Sequence, residues 1–194
     1  MNITAYAASS TQADPSYQAD ARELGRLLAI AGHRVIYGGG GVGSMGAIAE
    51  GALSAGGEVI GVLPEFMLEL EWGHRSLTAL HVVQNMHERK HKMLELADAV
   101  VALPGGCGTL EELFEAITWK RLGLITAPIV MLNTNGFYTP VIELLERTIS
   151  ERFLNPEHRA MWSLAGRPDD VLSAIANAAP WSAKAREFAA VRAT

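Results

Sequence analysis

Two hydrophobic periods alternate along this chain. Short apolar and β-branched runs are separated by longer stretches in which apolar residues return every three or four positions. The short runs predict strands at Asn2–Ala7, His33–Tyr37, Glu58–Leu63, Leu77–Val83, Ala99–Leu103 and Pro128–Leu132. The longer stretches predict helices at Tyr17–Ala31, Ser44–Ala55, His87–Ala97, Thr109–Leu122, Tyr138–Ser150 and Pro168–Asn177. Strands that alternate with helices imply crossover units. The predicted fold class is therefore α/β, a parallel sheet with helices on both faces. In such sheets ligands bind beyond the C-terminal ends of the strands.

Two glycine-rich turns fall at such ends. The first, Tyr37-Gly-Gly-Gly-Gly-Val-Gly-Ser-Met-Gly46, joins a predicted strand to a predicted helix. It contains a Gly38-x-Gly40-x-x-Gly43 spacing. A dinucleotide fingerprint also needs an acid at the end of the next strand, and Glu58 stands at that strand's start. A nicotinamide cofactor is therefore not expected. No Gly-Lys-Ser/Thr follows, so the turn is not a Walker loop. Four consecutive glycines cost much backbone entropy for a simple turn, which favours close approach of a ligand.

The second turn, Leu103-Pro-Gly-Gly-Cys-Gly-Thr-Leu-Glu-Glu112, follows an apolar run and opens a helix. Glycines let the backbone come close, and a helix N-terminus attracts phosphate. Thr109 and Glu112 have the spacing of a capping box, with Glu111 and Glu112 placed in the first helical turn. Helix stability alone accounts for both acids, and a catalytic role for either stands beside it.

A third segment, Met86-His-Glu-Arg-Lys-His-Lys-Met93, also begins at a predicted strand end. Arg89 offers a planar fork for phosphate or carboxylate, and Lys90 a point charge. A solvated basic face is the competing reading. His87 and His91 are four apart, but no third ligand or His-Glu-x-x-His pattern accompanies them, so no metal is expected.

Bulk properties narrow the classes. The chain has 194 residues and is 49% hydrophobic, enough for one domain with a sizeable core. Residues 1–179 read as that domain. The Ala-rich, charged tail 180–194 reads either as a docked helix or as disordered chain. The formal charge is −5, and Lys/Arg cluster only in the pairs Arg89-Lys90 and Lys120-Arg121. No nucleic-acid footprint is present. No apolar run approaches the roughly 18 residues of a membrane span, and no signal peptide is evident at the start. Cys107 is the only cysteine, which excludes an internal disulfide and suits the cytoplasm. It reads as a small residue filling the turn, with no base near it in sequence.

Together these segments resemble the Lonely Guy family of cytokinin riboside 5′-monophosphate phosphoribohydrolases, long mislabelled as lysine decarboxylases. The family's Pro-Gly-Gly-x-Gly-Thr-x-x-Glu motif matches Pro104 through Glu112. Its Tyr-Gly-Gly-Gly-x-x-Gly-x-Met-Gly segment matches Tyr37 through Gly46, and its Met-His-x-Arg-Lys segment matches Met86 through Lys90. The resemblance runs from about Ile3 to Ala178.

The resemblance implies a Rossmann-like fold, a homodimer and no cofactor. It implies hydrolysis of the N-glycosidic bond of an adenine-type nucleoside 5′-monophosphate to free base and ribose 5-phosphate. Arg89 and Glu112 match the catalytic pair. Glu71, Lys90, Gly105, Gly106, Gly108, Thr109, Glu111 and Thr118 match substrate-binding positions. The two glycine turns, through Gly39, Gly40, Gly43 and Met45, and Ser9 with Ser10, are expected at the phosphate and ribose.

One departure is visible. Family members usually carry Cys-Gly-Ser-Ser after the first strand, where this chain has Ala7-Ala-Ser-Ser10. Ala8 puts a methyl in place of the family's glycine.

By analogy with glycosidases, cleavage passes through an oxocarbenium-like state. Glu112 is expected to stabilise that cation and to orient or deprotonate water. Arg89 either holds phosphate or favours charge on the departing base. The alternative class is a non-enzymatic nucleotide or molybdenum-cofactor carrier of the same fold. A nucleic-acid-binding relative fits poorly with the acidic charge. Lysine decarboxylation fits poorly too, because no pyridoxal-phosphate lysine is recognisable.

Overall fold

A computed structural model describes residues 1–69, 73–74 and 76–189. The strands are β1 (Asn2–Tyr6), β2 (Arg34–Tyr37), β3 (Val59–Pro64), β4 (Ala79–Val83), β5 (Ala99–Ala102), β6 (Ile129–Leu132) and β7 (Trp162–Ala165). They form one sheet in the order β4-β3-β2-β1-β5-β6-β7, and every pairing is parallel. The helices are α1 (Pro15–Ile30), α2 (Gly43–Ser54), α3 (Glu65–Glu69), α4 (Met86–Glu95), α5 (Cys107–Arg121), α6 (Thr139–Ser150) and α7 (Val171–Ala176).

Strand side chains alternate between two apolar layers, as a sheet covered on both faces requires. Ile3, Ala5, Val35, Tyr37, Val101 and Val130 meet α1, α2 and α7. Tyr6, Ile36, Val100, Ala102, Ile129 and Met131 meet α4, α5 and α6. All of these strand residues are buried.

The chain runs from β1 outward to β4, then crosses back to β5 on the other side of β1. This reversal parts the loops that follow β1 and β5 and opens a crevice at their C-terminal ends. The loop Ala7–Ser10 and the turn Pro104–Gly106 form its two lips.

Three expectations change. β7 was not expected. It is a four-residue edge strand with only Ala165 buried, so it carries little hydrophobic signal. The stretch expected as the helix Pro168–Asn177 splits into a 3-10 turn at Pro168–Asp170 and the short α7. α3, a five-residue helix, was also not expected.

The tail is packed over the described part. Trp181 donates from Nε1 to the Lys120 carbonyl at 2.6 Å, and Arg121 donates to the Ala189 carbonyl through Nε and Nη2. Ala185 and Ala189 are buried.

Candidate active site

α5 begins at Cys107, and its N-cap is Gly106, whose missing side chain offers no cap. The first bond back into the helix runs from the Leu110 N–H to the Gly106 carbonyl at 3.0 Å. The amides of Cys107, Gly108 and Thr109 are thereby left as free donors. This corrects the capping-box expectation. Thr109 is the third helical residue, not the N-cap, and Glu111 and Glu112 lie in the second turn. A Cβ placed on Gly106 or Gly108 meets nothing within 4 Å, so both glycines face open space.

The first glycine turn is built differently. Gly43, at φ 63°, opens α2, and a Cβ there would strike the backbone of Ala8, Ser9 and Ser10. The Met45 N–H donates to the Ala8 carbonyl at 3.0 Å. The β1 loop thus occupies the N-terminus of α2. Of the two glycine-rich helix starts at the crevice, only that of α5 is open.

Gly38 makes room for a side chain. A Cβ on it would run into the Arg89 guanidinium. Arg89 is the fourth residue of α4, a helix capped by the Asn85 side chain on the Glu88 N–H at 2.9 Å. It reaches over the end of the sheet. Its Nε donates to the Val62 carbonyl and its Nη2 to the Gly38 carbonyl, both at 3.1 Å. Nη1 is turned toward Glu112 Oε1 at 3.4 Å, with Met86 Sδ at 3.9 Å on its other side. Both members of the ion pair are buried, with side chains 8% and 9% exposed. The solvated-face reading of Arg89 is overturned.

Burial pushes the Glu112 carboxyl up to about 7, against the pull of the Arg89 guanidinium. Burial, and then the Glu112 charge, also push the Tyr138 phenol upward.

Two cavities meet at Arg89, and Glu112 lines one of them. One, of about 250 Å³, is lined by Ala7–Ser10, Met45, Arg89, Gly106, Gly108, Thr109 and Glu112. The other, of about 450 Å³, is lined mainly by Gly38, Gly40, Gly41, Val42, Leu63 and Met67. Ser9, Met45 and Arg89 belong to both. The first is polar and floored by free amides. The second is mostly apolar.

The structure thus brings Arg89, Glu112, Ser9, Ser10, Gly40, Met45, Gly106, Gly108 and Thr109 together. Gly39 packs toward Leu63, and Gly43 against the β1 loop, so neither lines the cleft. Gly105 lines a smaller cavity beneath the turn. Lys90 pairs with Glu111 and with Glu115, the latter at 3.2 Å. Thr118 is exposed and donates to the Phe114 carbonyl at 2.7 Å. Lys90, Glu111 and Thr118 line neither cavity of their own chain. Glu71 lies outside the described residues. Sequence reasoning missed Val42, Leu63 and Met67, because apolar residues in an apolar chain read as core. Among the described residues, no group of three His, Cys, Asp or Glu is arranged to hold a metal ion.

The family model described as "Possible lysine decarboxylase" matches residues 45–175. A cytokinin riboside 5′-monophosphate phosphoribohydrolase of Rhodococcoides fascians is 43% identical over 160 residues, 82% of this chain and 81% of the relative. The chain belongs to the Lonely Guy family. A relative of the same name from Arabidopsis thaliana is 38% identical, over 81% of this chain and 72% of its own. Among solved structures, a molybdenum cofactor carrier protein from Chlamydomonas reinhardtii superposes with a TM-score of 0.70. It is 21% identical and covers 90% of this chain and 95% of its own. That likeness concerns the fold. The expected Rossmann-like parallel sheet is thus borne out by both the topology and the neighbour.

Proposed function

We propose that this protein hydrolyses the N-glycosidic bond of a cytokinin riboside 5′-monophosphate or AMP, releasing free base and ribose 5-phosphate. The observation that carries this reading is the buried Arg89–Glu112 pair at the edge of a cavity whose floor is the open N-terminus of α5. Family membership supports the same reaction class.

The two cavities suit the two ends of such a substrate. A phosphate seats on the amides of Cys107, Gly108 and Thr109, helped by the helix dipole. The base enters the apolar cavity beside Leu63 and Met67. With α2 closed by the β1 loop, one anion site remains, which matches a monophosphate.

Glu112 lines the polar cavity beside Arg89, which lines both, and the anomeric carbon is placed there. Its carboxylate stabilises the developing sugar cation and takes a proton from the attacking water. A carboxyl titrating near neutrality is suited to that exchange. Arg89 holds Glu112 in place. With Nε and Nη2 committed to backbone carbonyls, Arg89 is a positioning group rather than a phosphate ligand. The Ala8 methyl, at the polar cavity, narrows the space beside the phosphate.

A homodimer is part of the proposal. Lys90, Glu111 and Thr118 lie away from their own cleft, and a second copy packed on that face brings them to its neighbour's substrate. Light scattering tests this. The cytoplasm is the proposed compartment, consistent with one unpaired cysteine.

The primary test is chromatography of AMP and isopentenyladenosine monophosphate incubated with the protein. Free base together with ribose 5-phosphate is the expected result. Intact nucleotide that co-elutes with the protein would turn the reading toward a carrier.

A further inference from the structure

The turn Pro104–Gly106 stands over a cavity of about 130 Å³ lined by Tyr17, Phe137, Ala8, Ser44 and the turn itself. The lining is mostly apolar; Pro104 is buried, and Gly105 and Gly106 border the cavity. Two hydrogen bonds hold the root of the turn, and one of them comes from a side chain. Tyr138, fully buried, donates its hydroxyl to the Leu103 carbonyl at 2.7 Å. Leu103 is the last residue before the turn, and its own N–H is already taken by the Tyr6 carbonyl at 2.9 Å.

Tyr138 is itself fixed. Its N–H donates to Asn133 Oδ1 at 2.7 Å, and the Asn133 N–H donates to the Ala165 carbonyl at the end of β7. Thr134 Oγ1 donates to Asp20 Oδ2 at 2.6 Å, tying the same segment to α1. Phe137 meets Tyr17 edge-on at 6.0 Å and Tyr138 at 5.1 Å. Residues 133–138 therefore form a bracket anchored on α1 and β7 that ends on the phosphate turn.

We infer that Tyr138 is a positioning residue for phosphate recognition, acting through the Leu103 carbonyl and not by touching substrate. The physical argument is one of distance and alternatives. The turn leads into three free amides, those of Cys107, Gly108 and Thr109, whose value depends on where they point. Without the phenol, the Leu103 carbonyl is left buried and unpaired, a cost the backbone relieves by rotating toward other donors. The cavity beneath gives the turn room to rotate. The amides then lose their aim, while Glu112, about one turn further along α5, keeps its pairing with Arg89.

This inference rests on the phosphoribohydrolase reading, and its test separates the two. Tyr138→Phe removes one oxygen and keeps the ring. The expected result is an approximately tenfold rise in KM for AMP, with kcat within about twofold. The Kd of ribose 5-phosphate, measured by calorimetry without any turnover, rises by the same factor. Slow cleavage of the riboside, which lacks the phosphate, is unchanged. Asn133→Ala, which frees the Tyr138 backbone, gives a smaller shift in the same direction.

A phenol that merely stabilised the fold would lower the melting temperature and leave KM and Kd alone, and that outcome overturns the inference. So does equal loss on nucleotide and riboside. Should wild type bind ribose 5-phosphate yet cleave nothing, the reaction assigned above fails while the calorimetric arm still decides the role of Tyr138. Should it bind neither ribose 5-phosphate nor nucleotide, both fail.

Discussion

Arg89 turns Nη1 toward Glu112 at 3.4 Å, while Nε and Nη2 are held by the carbonyls of Val62 and Gly38. The carbonyls belong to Val62 within β3 and to Gly38, the residue after β2. The sheet edge itself therefore fixes the guanidinium, and the guanidinium fixes the acid. Each link suggests a measurement.

Replacing Glu112 by Gln keeps the shape and removes the ionisable group. Turnover of AMP should fall by about 10²–10⁴-fold, the usual range for a general acid or base. Nucleotide affinity should stay within a few-fold, because the phosphate floor is untouched. Base release by chromatography and affinity by calorimetry check the two halves. Turnover near that of wild type would remove Glu112 from the chemistry.

The acid–base position of Glu112 predicts two pH dependences. Burial raises it from about 4.5 to about 7. With the carboxylate as the working form, kcat/KM climbs with pH up to about 7 and levels off above. Stability follows the opposite course. Folding favours the neutral form, so that contribution is full below pH 4.5 and is lost as pH rises through 7. Glu112→Gln should therefore gain on wild type across this window, by about 3 kcal/mol at most. Denaturant unfolding of both proteins at pH 4.5 and pH 8 gives the difference.

Two glycine substitutions separate support from contact. Gly38→Ala forces Arg89 out of its slot, because the new methyl occupies the guanidinium's place. It should lower kcat steeply and cost some stability, since the displaced charge loses its partners. Gly106→Ala meets no protein atom and should fold with wild-type stability. Its methyl enters the space proposed for phosphate, so KM should rise with little thermal shift. Wild-type kinetics in the second variant would move the phosphate elsewhere.

Trp181 shields a buried amine. Lys120 is fully buried, donates from Nζ to the Ala127 carbonyl at 2.9 Å, and lies 5.9 Å from the Trp181 ring centre. Burial pulls the amine down to about 8. Trp181 is half-buried, so Trp181→Ala opens this site at a cost of about 3 kcal/mol, the low end for such a truncation. Lys120 should then label with an amine-selective reagent near pH 8, as peptide mapping would show. The cleft lies at the other end of α5, so activity at 25 °C should be unchanged. Unaltered labelling would mean that the tail does not cover this lysine in solution.

The sheet was legible in the chain because both its faces are covered. Ile3/Thr4/Ala5/Tyr6 and Val100/Val101/Ala102 are mostly apolar runs whichever face they meet, and α1, α4 and α6 carry an apolar stripe. β7 was not legible, since Trp162–Ala165 is short, at an edge and half exposed. The glycine turns and Met86–Lys90 marked the region of the cleft by motif alone.

What the sequence by itself determined is the set of groups: a parallel α/β order, two glycine-rich helix starts, Arg89 and Glu112. Local periodicity carries the elements and turns, because these are chosen over a few residues, and the resemblance to family motifs singles out Arg89 and Glu112. What only the tertiary structure decided is which of these groups face one another. Gly38 reads as a ligand-facing glycine, and its missing side chain makes room for a guanidinium. Gly43 reads the same way and instead admits the Ala8–Ser10 backbone, which closes α2 and leaves α5 open. Thr109 and Glu112 read as a capping box, yet Gly106 stands at the N-cap with no side chain to close it, and Glu112 turns inward to Arg89, 23 positions away in sequence. Such contacts join residues distant along the chain, and only the crossing from β4 back to β5 brings them within reach.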